Sequence, residues 1–340
     1  MTSTIGKKCL VTGGGGFLGK AIVQRLIGRG DKVRSFSRKF YPDLKEMGVE
    51  QVPGDLSDAR SVIKAVTGMD TVYHVAAKPG VWGKYADFYR TNAQGTNNII
   101  DACRCSRVSA FVHTSSPSVV FDGSSMEGVD ESAPYPASYC AHYPRTKAMA
   151  EQAVVSAARN GLPAIILRPH LIWGPGDNHL VPRILARANK LRQVGGGENR
   201  VDTIYIDNAA EAHINAEEAL RNTPALSGNI YFISQDDPIR LWDMVNRILA
   251  AGGYPQITGT VSTRAAWVAG ALLELIYKTL GIRGEPIMTR FVAKELATSH
   301  WFDISAAKRD LGYRPKISTA EGLERLSGWL KEKGLIYHYE

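Results

Sequence analysis

Cys9-Leu10-Val11-Thr12-Gly13-Gly14-Gly15-Gly16-Phe17-Leu18-Gly19 runs from three apolar residues through a glycine-rich turn into an amphipathic stretch, Leu18 to Arg29. A strand that turns through glycines into a helix is the context a dinucleotide-binding loop requires. Gly13 permits the tight turn, Gly16 lets the backbone approach a pyrophosphate with no Cβ between them, and Gly19 allows close helix packing. Phe17 and Leu18 open the helix, whose unpaired N–H groups and partial positive charge suit phosphate. Outward from this stretch, β-rich runs recur at Lys32 to Ser37, Val49 to Val52, Thr71 to Val75, Ala110 to His113 and Ala164 to Leu167. Helical patterns fill the gaps, at Ser57 to Thr67, Asn92 to Cys103 and Tyr143 to Asn160. Strands alternating with helices predict an α/β, doubly wound parallel sheet, the Rossmann fold.

After Arg168 the pattern changes. Pro169, Gly174, Pro175, Gly176 and Asp177 make a loop, strand-like runs return at Thr203 to Ile206 and Asn229 to Ile233, and the last hundred residues read as helices. The expected division is a cofactor domain over 1–168 plus 203–236 and a smaller, mostly helical substrate domain over 169–202 plus 237–340.

The second β run ends Phe36-Ser37-Arg38-Lys39, with no carboxylate where an NAD-selective site would bond the ribose 2′ hydroxyl. Two cations there favour NADP(H) over NAD(H), although Arg38 and Lys39 also read as ordinary surface charges. Asp55 after the third run is placed either to bond the adenine amino group or to cap the next helix.

Tyr143-Pro144-Arg145-Thr146-Lys147 sets a phenol and an ammonium four residues apart on one helical face. A phenol titrating near ~10 exchanges protons poorly at neutral pH, and Lys147 is expected to lower it. Ser116, in Thr114-Ser115-Ser116-Pro117 at the carboxyl end of the fifth run, offers a hydroxyl at the sheet edge where open α/β folds bind ligands. It reads as a donor to a substrate carbonyl or as a turn cap. Asn92 reads as a helix cap or as a support on the cofactor side, and His113 and His170 as satisfied core or loop histidines.

Lys and Arg exceed Asp and Glu by 41 to 33, a net +8, but the charges are scattered, so no nucleic-acid partner is expected. Cys9, Cys103, Cys105 and Cys140 show no metal-ligand spacing, so no metal is expected, and a reducing, cytoplasmic setting fits. Met1 to Lys8 lacks the apolar core of a signal peptide. The apolar stretch Ala265 to Ile276 is too short to span a bilayer; it reads as a lid helix or, through Trp267, Leu272 and Leu273, as a peripheral membrane contact.

TGGGGFLG at Thr12 to Gly19, GDL at Gly54 to Leu56, HVAA at His74 to Ala77, TSSPS at Thr114 to Ser118, YPRTK at Tyr143 to Lys147 and LRPHLIWGPGD at Leu167 to Asp177 follow in one order. Together they resemble the extended short-chain dehydrogenase/reductase family over nearly the whole chain. Within it the chain is similar to the 3β-hydroxysteroid dehydrogenase-like branch, and more narrowly to members that reduce 2-alkyl-3-oxoalkanoates in olefin biosynthesis. That narrower likeness rests on Lys78 to Gly83, Trp173 to Asn178 and Arg283 to Pro286, among others; the segment Phe121 to Pro136 is hardest to place. The resemblance implies Tyr143, Lys147 and Ser116 as catalytic residues. It implies Gly13, Gly16, Phe17, Leu18, Gly19, Ser37, Arg38, Asp55, Leu56, Ala76 and Lys147 as cofactor contacts. It also implies a homodimer and a small lipid-like keto acid or sterol as substrate, with Arg264, Arg283 or Arg290 as candidate partners of a substrate carboxylate. A sugar-nucleotide epimerase or a non-catalytic dinucleotide-binding protein are the remaining readings, the first wanting a diphosphate site and the second contradicted by an intact Tyr143 and Lys147.

Overall fold

The computed structural model describes residues 6–282 and 284–336. Seven parallel strands form its main sheet: β1 (Lys8–Thr12), β2 (Lys32–Ser37), β3 (Glu50–Pro53), β4 (Thr71–His74), β5 (Ala110–Thr114), β7 (Ala164–Pro169) and β12 (Ile230–Ile233). Their order is β12-β7-β5-β4-β1-β2-β3, so the chain winds outward one way from β1 and then, from β4 onward, the other way. The crevice above such a switch point is where open α/β sheets bind ligands.

Alternation along each strand builds two apolar layers, because successive side chains point to opposite faces. Cys9 and Val11 pack with Ile22 and Leu26 of the Phe17–Gly28 helix and with Ala212 and Ala216 of the Ile206–Asn222 helix. Leu10 faces the other way, toward Val62, Ile99 and Val154 of the Ala59–Val66, Gly95–Ser106 and His142–Arg159 helices. Burial on both faces explains why these strands read as continuous apolar runs.

A second sheet has the order β13-β10-β15-β6, with β13 at Ile239–Arg240, β10 at Arg200–Val201, β15 at His300–Phe302 and β6 at Met126–Val129. Thus a strand from within the first 168 residues joins the sheet of the C-terminal half, and it lies in the segment that the family blocks place least well. Two short ladders complete the strands: β11 (Ile204–Tyr205) with β8 (Ile172–Trp173), and β14 (Thr260–Val261) with β9 (Gln193–Val194). The run at Thr203 to Ile206 therefore stays off the main sheet, since Ile206 already opens a helix; only β12 returns to it. Among the described residues, no helix is long and apolar enough to cross a membrane.

An ion pair anchors the His142–Arg159 helix to the sheet. Arg168 of β7 donates Nε to Glu151 Oε2 at 3.0 Å and Nη2 to Oε1 at 2.6 Å, and the Tyr135 hydroxyl donates to Oε1 at 2.7 Å. Arg168 is 1% exposed and Glu151 0%, so neither charge is screened by water. Removing one partner of such a pair strands the other: Glu151→Ala is expected to lower unfolding free energy by about 3–5 kcal/mol in a urea titration, and Glu151→Ala with Arg168→Met to recover part of that loss.

Candidate active site

Thr12, at the end of β1, sets the site's floor. Its hydroxyl accepts from Val75 N at 3.1 Å and Ala76 N at 3.0 Å, and meets His74 Nδ1 at 2.9 Å. That tie draws the β4 exit against the glycine turn. Gly13 takes φ +69°, and a Cβ on it would lie 3.2 Å from Ala76 Cα; a Cβ on Gly19 would lie 2.1 Å from Gly13 O. Both positions therefore exclude a side chain, one by conformation and one by contact. The Phe17–Gly28 helix starts at Gly16 with no side-chain cap, leaving its first N–H groups for the cleft.

The cleft holds about 660 Å³ and is lined by Gly13, Gly16, Phe17, Leu18, Gly19, Ser37, Arg38, Lys39, Asp55, Leu56 and Ala76, with Ser116 and Tyr143 at one end. Arg38 and Lys39 are exposed at the end of β2. Asp55 caps no helix: its Oδ1 accepts from Ser57 N at 2.8 Å and Ser57 Oγ at 2.7 Å, while Asp58 caps the helix that begins at Ala59. Tyr41 and Thr91, not singled out in the sequence, also line the cleft, and so does the 177–180 segment, part of which the Trp173 to Asn178 block marks. Asp177 carried a signal in its Gly-Pro-Gly-Asp setting; its carboxylate accepts from the N–H groups of His179, Leu180 and Val181 and so fixes that wall.

Tyr143 and Lys147 lie on the first turns of the His142–Arg159 helix, as their spacing demands. Lys147 does not line the cleft. It is 4% exposed beneath it, and its Nζ donates to the Thr114 carbonyl at 2.5 Å. Burial pushes the Lys147 ammonium down to about 8, with Glu151 opposing the shift. Burial also pushes the Tyr143 phenol up to about 12, with the Ser116 hydroxyl acting the other way. Lys147 is not among the groups that set this shift; its ammonium is held by the Thr114 carbonyl. Of the two roles read for Ser116, the turn cap is present: its Oγ accepts from Ser118 N at 3.2 Å at the start of the Pro117–Val120 turn, while the residue also lines the cleft together with Tyr143.

Asn92 caps no helix either. It sits in a π-helical turn, Tyr89–Gln94, where its Oδ1 accepts from Lys78 N at 2.7 Å and its Nδ2 donates to Thr146 Oγ1 at 3.1 Å, tying the β4 loop to the His142–Arg159 helix. His170 Nδ1 meets the Asp202 carbonyl at 2.7 Å, but His113 is buried with neither ring nitrogen hydrogen-bonded to protein, so it is not a satisfied core histidine. Arg290 pairs with Glu274 at 2.7 Å; neither it nor Arg264 lines the site, and Arg283 lies outside the described residues.

Beyond Tyr143 the cleft continues into a cavity of about 270 Å³, walled by Val81, Phe121, Met126, Leu171, Leu180 and Phe291 and edged by Ser116, His170, Arg183, Glu295 and His300. A dinucleotide-sized groove thus meets an apolar chamber at one phenol. The groove fits an NAD(P) cofactor: a glycine turn with no room for side chains, an uncapped helix start and a basic strand end face it together.

The 3-beta hydroxysteroid dehydrogenase/isomerase family model matches residues 10–261. The chain is 47% identical over 323 residues to 2-alkyl-3-oxoalkanoate reductase of Stenotrophomonas maltophilia, covering 94% of this chain and 98% of that one. It is 35% identical to the sterol-4-alpha-carboxylate 3-dehydrogenase, decarboxylating, of Mus musculus, covering 94% and 90%. UDP-glucuronic acid 4-epimerase from Bacillus cereus, solved with NAD, superposes with a TM-score of 0.74 at 22% identity over 96% of this chain and 99% of that one, a likeness of fold. Gly19→Ala is expected to weaken binding of NADPH and NADH alike by about tenfold, ~1.4 kcal/mol, in a fluorescence titration, because the helix must shift off Gly13.

Proposed function

The chain belongs to the 3-beta hydroxysteroid dehydrogenase/isomerase family and is an NAD(P)-dependent oxidoreductase of the extended short-chain type; from that premise we propose that it reduces the 3-keto group of a 2-alkyl-3-oxoalkanoate to the 3-hydroxy acid, using NADPH. The observation that carries this reading is Tyr143 standing where the dinucleotide cleft opens into the apolar cavity. NADPH bound in the cleft supplies the hydride. Ser116 donates a hydrogen bond to the keto oxygen, and Tyr143 delivers its proton to that oxygen as negative charge develops there. A phenol held protonated by burial suits this direction, since a nascent alkoxide is far more basic than a phenolate even when burial has raised the phenol to about 12. Lys147 holds the helix to β5 through the Thr114 carbonyl and so keeps Tyr143, one turn earlier, at the cleft. Arg38 and Lys39 line the adenosine end, where a 2′ phosphate gains their charge and a carboxylate that would repel it is missing.

The names of the bacterial and mouse relatives share one chemical pattern: an oxygenated carbon 3 with a carboxylate on the adjacent carbon. We take that pattern as the substrate class. A sterol acid is the second reading, on the mouse relative's 35% identity. The assay that decides is cofactor absorbance with NADPH and NADH against a long-chain 2-alkyl-3-oxoalkanoate, and the reverse with a sterol acid. NADPH-linked reduction of the keto acid is expected, and Tyr143→Phe is expected to lower kcat by about 10²–10⁴ while leaving NADPH affinity nearly unchanged. Turnover of the sterol acid alone, with NAD, would overturn the substrate and the reading of Arg38.

The Thr263–Thr279 helix buries only Ala266 and Gly270, and a Cβ on Gly270 would lie 2.6 Å from the Thr289 backbone, so the helix is pressed on its neighbour by a narrow stripe. Its outer side carries Trp267, Val268, Leu272, Leu275 and Ile276 in the open, continued by Leu280, Ile282 and Ile287, with Arg264 and Lys278 exposed near its ends. Apolar side chains outward and cations flanking them fit the surface of an anionic bilayer, the source of an alkyl-chain substrate, and we propose that surface as the occupant. Vesicles containing anionic phospholipid are expected to co-sediment the protein, neutral phosphatidylcholine vesicles less so, and Trp267→Ser with Leu272→Ser to abolish the binding without loss of turnover on a water-soluble keto acid. Wild-type protein that stays in the supernatant with both vesicles would overturn it.

A further inference from the structure

Glu295 ends the short Arg290–Glu295 helix and presents a carboxyl to the cavity that Tyr143, Ser116 and Phe291 also line. Among the described residues it has no ion pair and no hydrogen bond, unlike Arg290 on the same helix, which pairs with Glu274, and unlike Arg183 across the cavity, which pairs with Glu285 at 2.9 Å. Glu295 is half-buried at the cavity edge, where a carboxyl without a partner is free to meet whatever enters.

The titratable groups that face it come from four directions. Tyr143 approaches from the catalytic helix, His170 from the β7 exit, His179 and Arg183 from the 177–185 segment, and His300 from β15. Burial holds both His170 and His300 well below their ordinary range, so both are neutral; Arg183 is taken by Glu285, and Lys294 on Glu295's own helix lies against Gly123 and Asp122 instead. The Tyr143 phenol feels the Glu295 carboxylate directly. Burial alone raises the Glu295 carboxyl to about 7.

The keto oxygen at Tyr143 fixes where the rest of a 3-oxo acid must go, because its carboxylate hangs from the carbon next to the reacting one. We propose that Glu295 is the specificity-determining residue for that carboxylate: protonated, it donates a hydrogen bond to it, and ionised, it turns the anionic substrate away. A carboxylic acid donating to a carboxylate makes a short, charge-assisted bond, whereas two carboxylates in an apolar chamber repel. The inference rests on the reading of the substrate as a 3-oxo acid.

The sign of the pH effect follows. Below about pH 7 Glu295 carries its proton and the anion binds; above it the proton is lost and KM rises. The substrate's own carboxyl, with an α-carboxyl-like value near ~3.5, stays ionised throughout and contributes no titration in this range. Steady-state kinetics on the wild-type enzyme with NADPH, between about pH 6 and about pH 8, compares the keto acid with its neutral methyl ester. The expected result is a rise in KM of about tenfold for the acid, no such rise for the ester, and a kcat that changes alike for both. Glu295→Gln, whose amide donates but does not titrate, is expected to make KM for the acid independent of pH. If acid and ester move together, or if Glu295→Gln keeps the rise, Glu295 does not select the carboxylate and the reductase reading stands without it. If neither compound is reduced at any pH, the reading of the substrate fails and this inference falls with it.

Discussion

Glu151 and Arg168 hold the His142–Arg159 helix, which carries Tyr143 and Lys147, to the sheet by two parallel hydrogen bonds inside a water-free core. Tyr143, Lys147 and Glu151 are spaced by four residues each, so they stack along one face of the helix, one turn apart. Fixing Glu151 against β7 therefore fixes the azimuth of that face. Lys147, one turn earlier, then lands within 2.5 Å of the Thr114 carbonyl at the end of β5, and Tyr143, one turn earlier again, reaches the rim where cleft and cavity meet. Isolated surface pairs are too weak and too mobile to set such a register; a desolvated bidentate pair with a tyrosine hydroxyl also donating to Glu151 Oε1 is not. Phe232 of β12 lies 5.1 Å from the Arg168 guanidinium, so the last strand to join the sheet closes the pair in.

One physical effect governs the charge states across the site. Burial raises Tyr143 and Glu295 and lowers Lys147, His170 and His300, in every case toward the neutral form. Such a chamber disfavours an ionised side chain that has no partner within it. The positive charges that line the site, Arg38, Lys39 and Arg183, stand at its edges rather than at the reacting carbon.

The fold was legible because its signals are local. A strand, a glycine turn and a helix are contiguous at Cys9 to Arg29, and a run such as Ala164 to Leu167 falls within its strand because burial on both faces leaves an unbroken apolar stretch. The Tyr143–Lys147 spacing was legible for the same reason. What those two groups do to each other was not, because it depends on what lies beneath them: the Thr114 carbonyl, thirty-three positions upstream of Lys147, takes the ammonium's proton bond. Asn92 reads as a cap from its neighbours, yet Lys78 and Thr146 claim its side chain from elsewhere in the chain. Glu295, in Phe-Val-Ala-Lys-Glu, looks like any charge on the outer face of a short helix.

The substrate chamber exists because two distant stretches share the small sheet. β6 pairs in parallel with β15, Met126 opposite His300, and this brings the stretch just after Ser116 against the C-terminal segment. Phe121 packs edge-on to Phe291 at 5.9 Å and to His300 at 4.8 Å, so the aromatic wall is made half from one stretch and half from the other. Glu295, one turn beyond Phe291 on the same helix, is carried to the chamber by that contact. The segment from Phe121 to Pro136, which the family blocks place least well, thus supplies one side of the wall that Phe291 and His300 complete. Changes in it would reshape this wall while leaving the glycine turn, Tyr143 and Lys147, which sit on other elements, where they are.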